Sequence, residues 1–153
     1  MDAHGNVFVA DPDVETVREI VASTGLIKAV AGDGYQNPNG GGGYSGNGGP
    51  ATSAELNLPT DVKVDGAGNL FISDEGNNVV REVSASTGKI SLVAGTYHSG
   101  GGKEIAPETA ATPATFVTPS YISVDPFGNL FITDVGDFVV DKVYAIAMPL
   151  PVN

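Results

Sequence analysis

The chain has 153 residues, 41% of them apolar, a formal net charge of −11 and no cysteine. Eighteen acidic against seven basic groups exclude the clustered lysines and arginines that displace counterions from nucleic-acid phosphates or hold a protein on anionic lipid, and the missing cysteines exclude disulfides and thiolate metal sites. No apolar run is long enough to span a bilayer, and the opening MDAHGN has neither a charged n-region nor an apolar h-region, so neither membrane insertion nor a signal peptide is expected within this sequence.

One block recurs three times: DAHGNVFVADPDVETVREI from Asp2, DGAGNLFISDEGNNVVREV from Asp65 and DPFGNLFITDVGDFVVDKV from Asp125. Asp11 and Asp74 are 63 residues apart, and Asp74 and Asp134 are 60 apart. A long fixed period marks a chain built from one supersecondary unit whose apolar faces are buried by stacking on its neighbours.

A full unit reads as four strands. The first is TDVKVD, in which Val62 and Val64 alternate with Lys63, or YISVD in the third copy. A tight turn follows, with Gly68 or Gly128 supplying positive φ. The second strand, LFIS or LFIT, is a continuous apolar run, as a strand covered on both faces requires. After the turn EGNN comes VVREVS, then the turn SASTGK and the fourth strand ISLVAG. Four short antiparallel strands joined by tight turns make a propeller blade. The expected fold is therefore all-β, a partial β-propeller of four-stranded antiparallel blades. Blade 1 is placed at 1–32 without its first strand, blade 2 at 59–95, and blade 3 at 119–147 without its last. These are about two and a half blades, where a closed ring takes roughly four to eight. Further blades in a longer parent chain, or self-association, are expected to cover the open faces.

Two insertions, 33–58 and 96–118, separate the blades. Pro50 suits the first position of a short helix, Pro113 limits the second copy to about one turn, and Leu56, Leu58 and Phe116 are expected to tuck these elements onto the blade. The glycine-rich stretch from Gly40 to Gly49 has no GK[ST] and no nearby Lys or Arg, so it reads as a flexible surface loop rather than a phosphate cradle.

GNLFISDEGNNVVREV, STGKISLVAG and GYSGNGGPATSAELNLPTDVKVD together resemble the NHL repeat family, in its long-period bacterial form. The resemblance runs to about Val143. It implies a propeller, often six-bladed, that binds proteins, carbohydrates or RNA, with a few relatives acting as lyases or hydrolases. It also implies a parent protein that is extracellular or in the cell envelope. The asparagine-and-arginine signature is intact in the second unit as Asn77, Asn78 and Arg81. In the first unit DVET replaces GNN and leaves Arg18; in the third, Asp137 and Phe138 replace the asparagines and Asp141 the arginine.

Two readings compete for the repeated Asp11, Asp74 and Asp134. They could form a ring of carboxylates for a cation such as calcium, or each could cap the turn after strand two and pair with the arginine of its own blade, Arg18 or Arg81. The second is preferred, because a residue present in every blade serves the blade. Asp65 and Asp125 are read as turn aspartates accepting backbone N–H groups two residues on. His4 and His98 lie at unrelated repeat positions and are read as exposed and idle, so no cofactor and no metal site are expected. In a propeller the insertions share a rim with the turns between strands two and three. That rim gathers Tyr35, Tyr44, Asn47, Glu75, Asn77, Tyr97 and His98. Loops on a rigid scaffold commonly carry binding residues. The function expected is non-catalytic recognition of a protein or a carbohydrate through this rim, with no nucleic acid involved. A metal-dependent propeller lyase or lactonase and a purely structural or sensor domain stand as the alternatives.

Overall fold

A computed structural model describes residues 1–99, 102–105 and 115–143. Among these residues the fold is all-β: three antiparallel sheets, no α-helix, and the arrangement of a partial β-propeller. The first sheet pairs β1 (Val7–Asp11), β2 (Thr16–Ile20) and β3 (Ile27–Ala31) in that order. The second runs β4 (Pro59–Val64), β5 (Leu70–Asp74), β6 (Val79–Val83), β7 (Ile90–Ser99) and β8 (Gly102–Ile105). The third contains β9 (Pro119–Val124), β10 (Leu130–Asp134) and β11 (Val139–Val143).

The repeat is visible in atomic detail. Asp65 Oδ1 accepts the N–H groups of Ala67 and Asn69 at 2.9 Å each, and its Oδ2 accepts Asn69 Nδ2 at 2.9 Å. Asp2 and Asp125 repeat the same three bonds with Asn6 and Asn129 as partners. The next turn ends on a left-handed residue in every copy: Glu15, Asn78 and Phe138 have φ of 54°, 58° and 58°. Asparagine tolerates that conformation, whereas glutamate and phenylalanine adopt it rarely. Bulges recur as well. Val30 on β3 and Val93 on β7 are the extra residues opposite Val17/Arg18 and Val80/Arg81. A bulge re-aims side chains, and here it lies beside the arginine of the blade.

Burial follows the stacking of the sheets. All five residues of β5 are buried, because this strand lies between two neighbours. One core cluster joins the first two sheets through Val17, Ala31, Leu70, Ile72, Val83 and Ile90. A second joins the last two through Phe71, Val80, Val93, Ile122, Leu130 and Ile132. Polar bonds add to the second contact: Asp61 Oδ2 accepts Ile122 N–H at 2.8 Å, Thr60 Oγ1 donates to the Ser120 carbonyl at 3.0 Å, and Ser73 Oγ donates to the Pro119 carbonyl.

Several details differ from expectation. Ala51–Ser53 is a single 3₁₀ turn, and Pro50 precedes it as the cap with ψ at 132° rather than opening a helix. Leu56 and Phe116 are buried, at 1% and 4% exposure, but Leu58 is 43% exposed. The chain turns through a left-handed residue at Leu58, φ 50°, and its N–H is taken by Glu15 Oε2 at 2.6 Å. That bond holds a buried carboxylate whose pKa burial pushes up. Strand β7 runs past residue 95 to Ser99 and pairs with β8, so the start of the second insertion is a β-hairpin rather than a loop. Its glycines hid the strand signal. Pro113 lies outside the described residues, as does the end of blade 3 beyond residue 143.

Candidate functional site

The rim is built around a completely buried ion pair. Arg81 on β6 and Asp74 at the end of β5 both have 0% exposed side chains, with NH1 and Oδ2 3.6 Å apart. A buried arginine must spend its donors on acceptors, and these come from the first insertion. NH1 donates to the Glu55 carbonyl at 2.8 Å, and NH2 donates to the Ser45 carbonyl at 2.7 Å and to Asn47 Oδ1 at 2.8 Å. The guanidinium carbon also lies 4.9 Å from the centroid of the Tyr44 ring, within cation–π range. Tyr44 in turn stacks on Tyr97 of β7, centroids 3.8 Å apart, and its hydroxyl accepts Asn47 Nδ2 at 2.8 Å.

Asp74 fastens the other end of the same insertion. Its Oδ1 accepts Asn57 N–H at 2.7 Å and its Oδ2 accepts Asn77 Nδ2 at 3.0 Å; Asn77 Nδ2 also donates to the Gly43 carbonyl at 2.9 Å. The glycine-rich stretch is therefore packed, which corrects its reading as a flexible loop. A Cβ on Gly42 would collide with the Leu56 carbonyl, and one on Gly46, at φ 86°, would lie 2.7 Å from Ala54. Glycine is needed here for close backbone approach.

The three copies separate two roles of the repeated aspartate. Asp74 has both the arginine and the insertion N–H group. Asp134 has no arginine, since Asp141 occupies that position, yet it is 1% exposed and accepts Val117 and Thr118 N–H groups at 2.8 Å each. Asp11 has its arginine, Arg18, at 3.5 Å in an exposed pair. The N–H groups accepted by Asp74 and Asp134 belong to the end of the insertion, not to the turn after strand two as expected.

Burial pushes the Asp74 carboxyl up from 3.8 to about 6, against the hydrogen bonds from Asn77 and Asn57 and the charge of Arg81. Between these values the folded chain holds a proton that the unfolded chain has released. The contribution of this group to stability therefore grows as pH falls from about 6 to 3.8 and levels off below. Urea unfolding of the protein and of Asp74→Asn across that range should show the gap shifting in favour of the unaltered protein as pH falls. A gap independent of pH would contradict the shift.

Of the rim candidates, Tyr44, Asn47, Asn77 and Tyr97 come together in this one network. Asn77 is buried, and Tyr44, Asn47 and Tyr97 are half-buried. Glu75 accepts Ser120 Oγ at 2.9 Å and so links the second and third sheets. Tyr35, 40% exposed, stands apart at the start of the insertion, its N–H bonded to Asp33 Oδ1 at 2.9 Å. His98 lies on β7 with its backbone paired to Lys103, and its side chain falls outside the described residues. Sequence reasoning missed Ser45 and Glu55, which contribute only carbonyls to Arg81 and leave no mark in the residue pattern. Among the described residues no group of three His, Asp or Glu side chains is placed to hold a metal, and no helix is long and apolar enough to cross a membrane.

No protein-family profile and no curated protein matches the chain. Solved structures do. A protein of unknown function from Bacteroides thetaiotaomicron shares 23% identity with a TM-score of 0.67 over 91% of this chain and 32% of its own. An auxiliary nutrient binding protein from Bacteroides ovatus shares 17% identity with a TM-score of 0.61, over 89% of this chain and 34% of its own. Virginiamycin B lyase from Staphylococcus aureus aligns with a TM-score of 0.32 at 14% identity, over 100% of this chain and 69% of its own. The chain spans about a third of the length of the two Bacteroides proteins. The likeness is one of fold.

Proposed function

We propose that the chain is part of a non-catalytic binding propeller of the NHL type, and that the rim carrying the first insertion recognises a protein or glycan partner outside the cytoplasm. The observation that carries this reading is the Arg81–Asp74 anchor, which holds a glycine-rich insertion in one conformation with its half-buried Tyr44 ring stacked on Tyr97 of β7. Preorganised aromatic surface binds at low entropic cost. The exposed Tyr35 ring and the rim of the half-buried Tyr44–Tyr97 stack, beside amide groups, suit the faces and hydroxyls of a sugar, so a glycan is favoured over a protein. The nutrient-binding description of one similar structure supports the same direction.

A panel of immobilised soluble oligosaccharides tests this. The protein is expected to retain a defined subset; Tyr35→Ala combined with Tyr97→Ala is expected to abolish retention, and Tyr35→Ala alone, which removes an exposed ring outside the Arg81 network, is expected to weaken it while leaving the thermal midpoint within a few degrees. Retention unaffected by the double substitution would refute the rim as the site, and retention of no sugar would refute the glycan reading.

A further inference from the structure

Blade 1 carries an uncovered copy of the socket that the first insertion fills on blade 2. Residues 63 apart correspond: Val9 to Ile72, Thr16 to Val79, Arg18 to Arg81 and Ile27 to Ile90. In blade 2 these four side chains are fully buried, and Tyr44 packs against Val79 while Arg81 grips Ser45 and Glu55. In blade 1 Val9 and Ile27 are 43% and 60% exposed, and the Arg18 side chain is 49% exposed. A cleft of about 450 Å³ opens there, lined by Thr16, Arg18, Ile27, Ala29 and Gln36 among others. Thr16 is only 8% exposed, and its Oγ1 has no hydrogen-bond partner among the described residues.

We infer that this cleft is a docking site for a tyrosine-bearing, glycine-rich peptide segment of the same kind as residues 40–58, in which a tyrosine ring covers Thr16 and Ala29, the counterparts of Val79 and Leu92 beneath Tyr44, and backbone carbonyls face the Arg18 guanidinium. The occupant follows from blade 2, where such a segment supplies two carbonyls, one amide oxygen and one ring to the equivalent arginine. Glycine is part of the specification, because a Cβ at Gly42 or Gly46 would collide with the segment's own chain.

The test is an NMR titration of the protein with a synthetic peptide of sequence 40–58. Saturable shifts confined to β2, β3 and Gln36 are expected at millimolar peptide. Arg18→Ala, or alanine at the tyrosine of the peptide, is expected to weaken binding about tenfold or more, the loss of charge-assisted hydrogen bonds or of an aromatic contact. No shifts, or shifts equal for the protein and Arg18→Ala, would overturn the inference. Arg18 is half exposed, so the variant folds, and Tyr97 does not line the cleft, so oligosaccharide retention by Arg18→Ala reports separately on the rim.

Discussion

Replacing Arg81 by alanine is expected to destabilise the protein by about 3–5 kcal/mol, the range for removing one partner of a buried pair. The side chain has 0% exposure and donates to two carbonyls and one amide oxygen while facing Asp74. Its removal leaves those acceptors dry and unpaired, and it leaves the Asp74 carboxylate without the charge that opposes its desolvation. Lysine should restore little, because one ammonium cannot reach the Ser45 and Glu55 carbonyls with the fork geometry of a guanidinium. Equilibrium urea unfolding measures the loss. Adding Asp74→Asn to Arg81→Ala should cost less than the two single changes summed, since the buried charge is then gone. A loss below about 1 kcal/mol would place Arg81 among ordinary surface pairs and remove the basis for a preorganised rim.

Asp134→Ala is the second large effect, at about 3 kcal/mol or more. Both oxygens of this buried carboxylate accept backbone N–H groups, from Val117 and Thr118, and bonds to a charged acceptor are worth about 1.5–3 kcal/mol each. Asparagine keeps one acceptor oxygen and should recover part of the loss. Hydrogen exchange at the Val117 and Thr118 amides should accelerate in the alanine variant ahead of global unfolding. The comparison with Asp11→Ala is informative, because Asp11 sits in an exposed pair and the change should cost under about 1 kcal/mol. Equal losses at the two positions would show that capping the insertion is not what the repeated aspartate does.

Much of the fold was legible because the chain states its unit three times. Turn aspartates, apolar second strands and the four-residue turn after them can be read from any copy and checked against the others. The convergence of the insertion with the turn after β5 followed from blade topology alone. The anchoring of the insertion did not. Glycine gives no hydrophobic period, so nothing between Gly40 and Gly49 announces that Gly42 lies against Leu56. Arg81 binds main-chain carbonyls, which every residue possesses. Tyr44 and Tyr97 meet across 53 positions of sequence, and no local pattern joins them. Leu58 looked like a core residue by type, but a left-handed backbone set by a bond to Glu15 leaves it at the surface.

The same anchoring bears on how such a chain can be cut and recombined. The segment 33–58 follows blade 1 in sequence, but its partners Asp74, Asn77 and Arg81 belong to blade 2. The module that holds itself together is thus staggered against the module that recurs by sheet. A crossover placed after Gly32 keeps the first insertion with Arg81, which grips it, whereas one placed before Pro59 transplants a strap without its buckle. Shuffled repeats joined at the first position should yield soluble hybrids far more often than those joined at the second.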